Sequence, residues 1–143
     1  MKIQFIVECL PPKKDGANSM WGKKLESERL VNLRQAASQA LNGQPPLQIN
    51  IKLSLKLHLP VNNRSIGDLD TFVTGICDGL MKRDPRSKLY EETWSNPDYG
   101  DVYPDKVIAI VDDSQVVSIQ AEKIIGDTEQ QWYEVILEGE CLD

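Results

Sequence analysis

The chain has one histidine, His58, and three cysteines, Cys9, Cys77 and Cys141, with no CxxC pair among them. A His-rich metal centre, a disulfide framework or a Ser-His-Asp triad has little to draw on. Any chemistry therefore falls to carboxylates, and two clusters stand out. Asp68-Leu69-Asp70 runs into a stretch with helical apolar spacing. Residues two apart diverge on a helix but share a side in an extended segment. A helix that starts near Asp70 leaves Asp68 in its extended entry, where both carboxylates can face one ligand, and Gly67 lets the chain approach that point. Asp112-Asp113 follows the apolar run 107–111 and leads into Ser114-Gln115. Each cluster also has a plain structural reading: Asp70 as a helix cap with Asp68 beside it, and Asp-Asp-Ser as a turn. Carboxylates gathered from two elements repel one another unless a hard cation lies between them. Mg²⁺ takes oxygen ligands, keeps several waters, polarises a phosphodiester and lowers the pKa of an attacking water.

The surrounding elements must position these clusters. Ile3, Phe5 and Val7 alternate within residues 2–9, which predicts a strand stopped by Pro11-Pro12. Leu30, Leu33, Ala37, Ala40 and Leu41 predict a helix from Leu25 to Leu41 that stops at Asn42-Gly43. From Leu47 to Leu59, apolar residues alternate with Gln48, Asn50, Lys52, Ser54, Lys56 and His58. That pattern predicts a long strand with one apolar face and one polar, mildly basic face carrying a solvated His58. Phe72, Val73, Ile76, Cys77 and Leu80 form the buried stripe of a second helix over Asp70–Met81. Residues 82–106 read as a long loop excursion with Tyr90, Trp94, Tyr99 and Tyr103 interleaved. Val107–Val111 reads as a short buried central strand, and Val116–Ile125 and Trp132–Glu138 as two more strands around Gly126-Asp127. The order predicts a single α+β domain over 1–143, a mixed β-sheet with two helices packed on one face.

At 143 residues the chain has the size of one domain. No apolar run approaches the roughly 18 residues of a membrane span. The start, Met1 to Cys9, has too short an apolar stretch for a signal peptide, so no membrane and a reduced, cytoplasmic setting are expected. The net charge of −6 is unevenly divided. Residues 1–64 hold ten Lys/Arg against four Asp/Glu, and the remainder six against eighteen. Such asymmetry allows one basic face on an acidic protein. Lys13, Lys14, Lys23 and Lys24 are candidate phosphate contacts, which need charge rather than a motif. Lys82, Arg83, Arg86 and Lys88 with Tyr90 and Trp94 could meet DNA by charge and stacking, or form a solvated loop with its aromatics tucked onto the domain. The acidic run Asp127, Glu129, Glu134, Glu138, Glu140 and Asp143 offers a protein-interaction surface instead.

Taken together, Gly67-Asp68-Leu69-Asp70-Thr71-Phe72-Val73, Asp78-Gly79-Leu80 and Asp112-Asp113-Ser114-Gln115-Val116 resemble the RusA family of Holliday-junction resolvases. Its members carry an Asp-x-Asp-Asn motif, an Asp eight residues after the second Asp, and a later Asp-Asp-x-Gln motif. The opening strand ending in Pro11-Pro12 is similar to the family's start. The resemblance implies a homodimeric endonuclease, dependent on Mg²⁺ or Mn²⁺, that cuts four-way DNA junctions symmetrically. Such proteins are commonly encoded by phages and prophages. Asp68, Asp70 and Asp113 would be its metal-binding catalytic carboxylates, Asp112 their neighbour, ligating through water or shaping the turn, and Asp78 supporting structure. Lys13, Lys14, Lys23, Lys24, Lys82 and Arg83 would face the DNA. Two positions depart from the pattern: Thr71 stands where the family has Asn, and Thr74 where it has a functional Lys. The excursion at 82–106 is also longer than the family's connection. The departures keep open a module that binds DNA without cutting it, or one that binds protein.

Overall fold

Period-two alternation builds the sheet. Its strands are β1 (Lys2–Val7), β2 (Ile51–Leu59), β3 (Val116–Ile125) and β4 (Trp132–Gly139), in the spatial order β1-β4-β2-β3. β4 runs antiparallel to both β1 and β2, and β3 runs parallel to β2. Ile3, Phe5, Val7, Leu53, Leu55, Leu57, Tyr133, Val135 and Leu137 point to one side and are buried. The helices α1 (Lys24–Leu41) and α2 (Leu69–Leu80) cover that side, with Leu33, Ala37, Leu41, Phe72, Val73, Ile76 and Leu80 in the same core. This is the expected α+β domain. The computed structural model describes residues 1–14, 20–63 and 66–139; Arg64 of the basic half and Glu140, Cys141 and Asp143 of the acidic end lie outside them. Among the described residues no helix is long and apolar enough to cross a membrane.

α1 serves two cores at once. Leu33, Ala37 and Leu41 face the sheet, while Leu30 and Val31 join Met20, Trp21 and Trp94 in a second cluster. Between these clusters lies Arg34, fully buried. Its Nε donates to Val102 O (2.8 Å), one terminal nitrogen to Gly79 O and Met81 O (2.7 and 2.9 Å), and the other to Tyr103 O and Lys106 O (2.8 and 2.7 Å). Five carbonyls meet the five-donor fork of the guanidinium, whose carbon also sits 5.1 Å from the Trp21 ring centroid. Burial pushes the Arg34 pKa down to about 9, which leaves it charged at neutral pH.

That fork organises the excursion. Residues 82–106 contain α3 (Glu91–Trp94) and a 3-10 turn (Pro97–Val102), with Thr93 and Trp94 buried. The Trp94 indole donates to Trp21 O (3.1 Å), and the two indole rings lie 5.4 Å apart. Ser27 and Thr93 share a buried hydroxyl–hydroxyl bond of 3.0 Å. The aromatics are tucked onto the domain.

Four sequence expectations need correction. The run 107–111 is not a strand: Ile108, Ala109 and Ile110 are buried, and their N–H groups turn to Leu80 O at 3.1–3.3 Å. One isolated parallel bridge, Leu47 with Ile110, is all the pairing it makes. The predicted strand over Leu47–Leu59 narrows to Ile51–Leu59, because Leu47 pairs with this crossing segment instead. The solvated His58 is in fact 8% exposed, stacked on Trp132 at 3.8 Å and hydrogen-bonded through Nδ1 to Asp127 (2.8 Å). Nor is the uncovered face of the sheet basic. Lys56 sits in register between Glu134 and Glu122, and Lys52 beside Glu138, so neighbouring strands neutralise β2.

Arg34→Lys keeps a cation but loses the fork, leaving buried carbonyls without donors. Urea unfolding should show a loss of about 2–4 kcal/mol. An unchanged midpoint would remove Arg34 from its organising role.

Candidate metal and phosphate site

α2 begins where Asp68 takes an extended conformation (φ −89°, ψ 144°) and the helical stripe of Phe72, Val73, Ile76, Cys77 and Leu80 starts. Asp68 holds the N-cap position, yet its side chain makes no capping hydrogen bond. Asp70, in the first turn, is exposed, and so is Asp68. The plain capping role that the sequence allowed is therefore left unfilled, and both carboxylates face solvent. Their Thr71 and Thr74 neighbours offer no charge. The Thr74 hydroxyl donates to Asp70 O at 2.9 Å, a bond back onto the helix that engages it locally.

Asp112-Asp113 opens a 3-10 turn (Asp113–Gln115) just before β3. Asp112 caps this turn by accepting from the Ser114 N–H (2.9 Å), and the Gln115 side chain closes the capping box by accepting from Asp112 N–H and Val111 N–H (2.9 and 2.8 Å). The amide of Gln115 also donates to Leu47 O and Ile49 O (2.8 and 3.1 Å), which ties the turn to the entry of β2. Asp112 and Gln115 are thus turn-shaping residues, and the turn leaves the Asp113 carboxylate exposed. The Ser114 N–H and hydroxyl hold the Asp112 carboxyl below the usual carboxylate range, and the neighbouring Asp113 side chain adds to this.

The two clusters lie on different elements, one at the start of α2 and one in the turn before β3. Burial pushes the Cys77 thiol up to about 11, and the charges of Asp78 and Asp113 add to the shift. Cys77 lies seven residues beyond Asp70, about 10 Å along the axis. Among the described residues no three His, Cys, Asp or Glu side chains stand close enough to hold a metal ion together. The fold thus brings together the pairs Asp68/Asp70 and Asp112/Asp113, and leaves the pairs apart. The donor set still suits Mg²⁺, a hard ion that is commonly held by one or two carboxylates together with waters and substrate phosphates. Among the described residues, the Asp68 and Asp70 carboxylates have such oxygens unengaged, whereas Asp113 interacts with the neighbouring Asp112 side chain.

A strap that sequence reasoning did not place supplies positive charge at the same helix. Pro11 and Pro12 are buried, and Gly75 of α2 permits the contact: a Cβ there would lie 2.0 Å from the Pro12 carbonyl oxygen. The Lys13 N–H donates to the buried Glu26 carboxylate (2.6 Å), whose other oxygen accepts from Arg29 (2.5 Å). So clamped, the strap runs the Lys13 stem past Gly67, where a Cβ would come within 3.5 Å of the Lys13 Cδ, and pairs Lys14 with Asp78 at 2.6 Å. The other basic candidates lie elsewhere. Lys23 and Lys24 are exposed at the start of α1, and Lys24 shares a polar groove with Glu28, Tyr90 and Glu92. Lys82 is exposed, but Arg83 folds its guanidinium onto Asp84 O, Pro85 O and Ser87 O of its own loop. Arg86 is bound by Asp84, whose carboxyl it holds down to about 2.

Two outcomes follow from this geometry. Gly75→Ala should lift the strap and cost about 1–3 kcal/mol in chemical denaturation, the usual cost of overpacking. Carboxyl NMR should find Asp112 titrating below the roughly 3.9 of a free aspartate, with Ser114→Ala raising it toward that value. Because its folded pKa is depressed, the stability it contributes is present above the free-aspartate pKa and fades as pH falls through the folded one. An Asp112 that titrates normally would contradict the capping geometry. No family model matches the chain, and no curated protein shows significant similarity to it.

Proposed function

We propose that the protein is a metal-dependent endonuclease acting on branched DNA, four-way junctions in particular, as the resemblance of its acidic motifs implies. The observation that carries this reading is the coincidence, on one helix, of unengaged carboxylates at Asp68 and Asp70 with a clamped lysine strap beside them. A phosphodiester is repelled by bare carboxylates, so a site for it needs cations. Lys13 offers a charge on the strap, where Lys14 is already paired with Asp78, and a divalent ion held at the carboxylates would offer another. Asp68 and Asp70 would hold that ion, and the turn before β3 keeps Asp113 apart from them. When bound, Mg²⁺ or Mn²⁺ would polarise the phosphodiester and lower the pKa of a water. The chain's own residues orient and enclose: Gln115 and Asp112 set the attitude of Asp113, and Gly75 with Glu26 sets the height of the strap.

A second reading has one specific observation in its favour. Thr74 engages its hydroxyl with Asp70 O and carries no charge, so it cannot stabilise developing negative charge at the phosphate. That fits a module that binds junctions and does not cut them. A reducing, cytoplasmic setting suits either reading, since Cys9 and Cys77 are free thiols.

A synthetic four-way junction separates them. With Mg²⁺ or Mn²⁺ the wild type should give paired symmetric nicks, and Asp70→Asn should lower that rate by at least about 100-fold, more than loss of an outer-shell partner costs. Lys13→Ala should weaken junction binding and reduce the salt dependence of log K by about one unit. Binding without nicks, under any of these ions, would select the second reading. No binding at low salt would remove both.

A further inference from the structure

The sheet face away from the helices carries an aromatic stack at one end. His58 of β2 and Trp132 of β4 stand in register there, with rings 3.8 Å apart and parallel to within 4°. Asp127 holds the imidazole through Nδ1 (2.8 Å), so the stack fixes the half-buried indole in place. His58 takes one face of the indole from the β2 side. On the β1 side the register closes with Val7 opposite Tyr133, and Glu8 comes next, beside Trp132. A cleft of about 490 Å³ opens here, lined by Ile6, Glu8, Gln130, Gln131 and Trp132. That volume lies in the usual range of small-ligand sites.

The lining holds a carboxylate and no base. Glu134, on the same face, accepts from the Gln4 amide (2.7 Å) and has Lys56 in register beside it. Glu8 has no such answer: among the described residues it makes no ion pair. We propose that this cleft binds an alkylguanidinium, the head group of arginine. A guanidinium is planar and charged, stacks on an aromatic face and forks two donors onto one carboxylate. The cleft offers that set: the indole face turned from His58, the Glu8 carboxylate, and the side-chain carbonyls of Gln130 and Gln131 for the remaining N–H groups. A quaternary ammonium would meet the indole but donate to none of these oxygens, and an anion would meet Glu8. The cleft lies across the sheet from α2, whose apolar stripe is in the core on the other face. The inference therefore goes beyond the endonuclease reading and stands or falls without it.

The test titrates the whole chain with L-arginine and follows the Trp132 indole N–H by NMR, its resonance assigned with Trp132→Phe. A saturable shift is expected. Glu8→Gln removes a charge at an exposed position, with the fold checked by circular dichroism, and should weaken binding at least about tenfold, the loss of a charge-assisted pair. Tetramethylammonium should bind at least about tenfold more weakly than arginine, because it cannot donate. A blocked Gly-Arg-Gly peptide separates the two sources of the group. Binding as tight as that of free arginine assigns the cleft to an arginine of a partner chain, and binding of the free amino acid alone assigns it to a small molecule. No saturable shift with either probe would overturn the proposal. So would tetramethylammonium binding as well as arginine, or Glu8→Gln binding arginine as well as the wild type.

Discussion

The rest of the structure depends on one buried cation. Arg34 places a guanidinium between the two cores and answers each of its donors with a main-chain carbonyl, drawn from the end of α2 and from the returning limb of the excursion. Removing a cation from water costs several kcal/mol, and charge-assisted hydrogen bonds of about 1.5–3 kcal/mol each offset that only when they are all made. The arrangement is therefore close to all-or-none. It closes the chain back onto Leu80, and that closure lets residues 108–110 cross the helix end and deliver Asp112-Asp113 to the start of β3. Arg34 on α1 thus holds the loop that carries the chain from α2 to the acidic turn.

The same logic explains the lysine strap. A run of two prolines cannot continue β1, and it leaves the sheet where Gly75 of α2 receives it. Glu26, itself buried, then fixes the direction of the strap through the Lys13 N–H. Like charges and opposite charges are thereby interleaved along one helix: Asp68 and Asp70 near Lys13, and Asp78 under Lys14. The Asp68 side chain makes no capping bond and stays exposed, as does Asp70.

How much of this the sequence disclosed depends on the range of the interactions. The alternation of β2 and the stripe of α2 are local patterns, and both elements stand where the pattern puts them, to within a few residues at their ends. Val107–Val111 misled because a continuous apolar run has no period; burial alone cannot tell a strand from a segment crossing a helix terminus. Arg34 sits among helix residues with nothing nearby to mark it as buried, since all five acceptors lie 45 or more residues away. His58 followed the alternation onto the polar face, but Trp132 and Asp127 arrive there from the β4 side and bury it. Of the site, the acidic pairs were visible as types and spacing. The clamp on Lys13 was not, because Glu26 and Gly75 each look ordinary until the strap lies across them.

The proposed divalent-ion site lies at Asp68 and Asp70 beside that strap. Mn²⁺ titration followed by amide NMR tests it directly, since the ion broadens resonances near its site. The account predicts saturable broadening centred on residues 67–71, abolished in Asp70→Asn. Broadening that leaves residues 67–71 untouched, or that persists unchanged in Asp70→Asn, would contradict it.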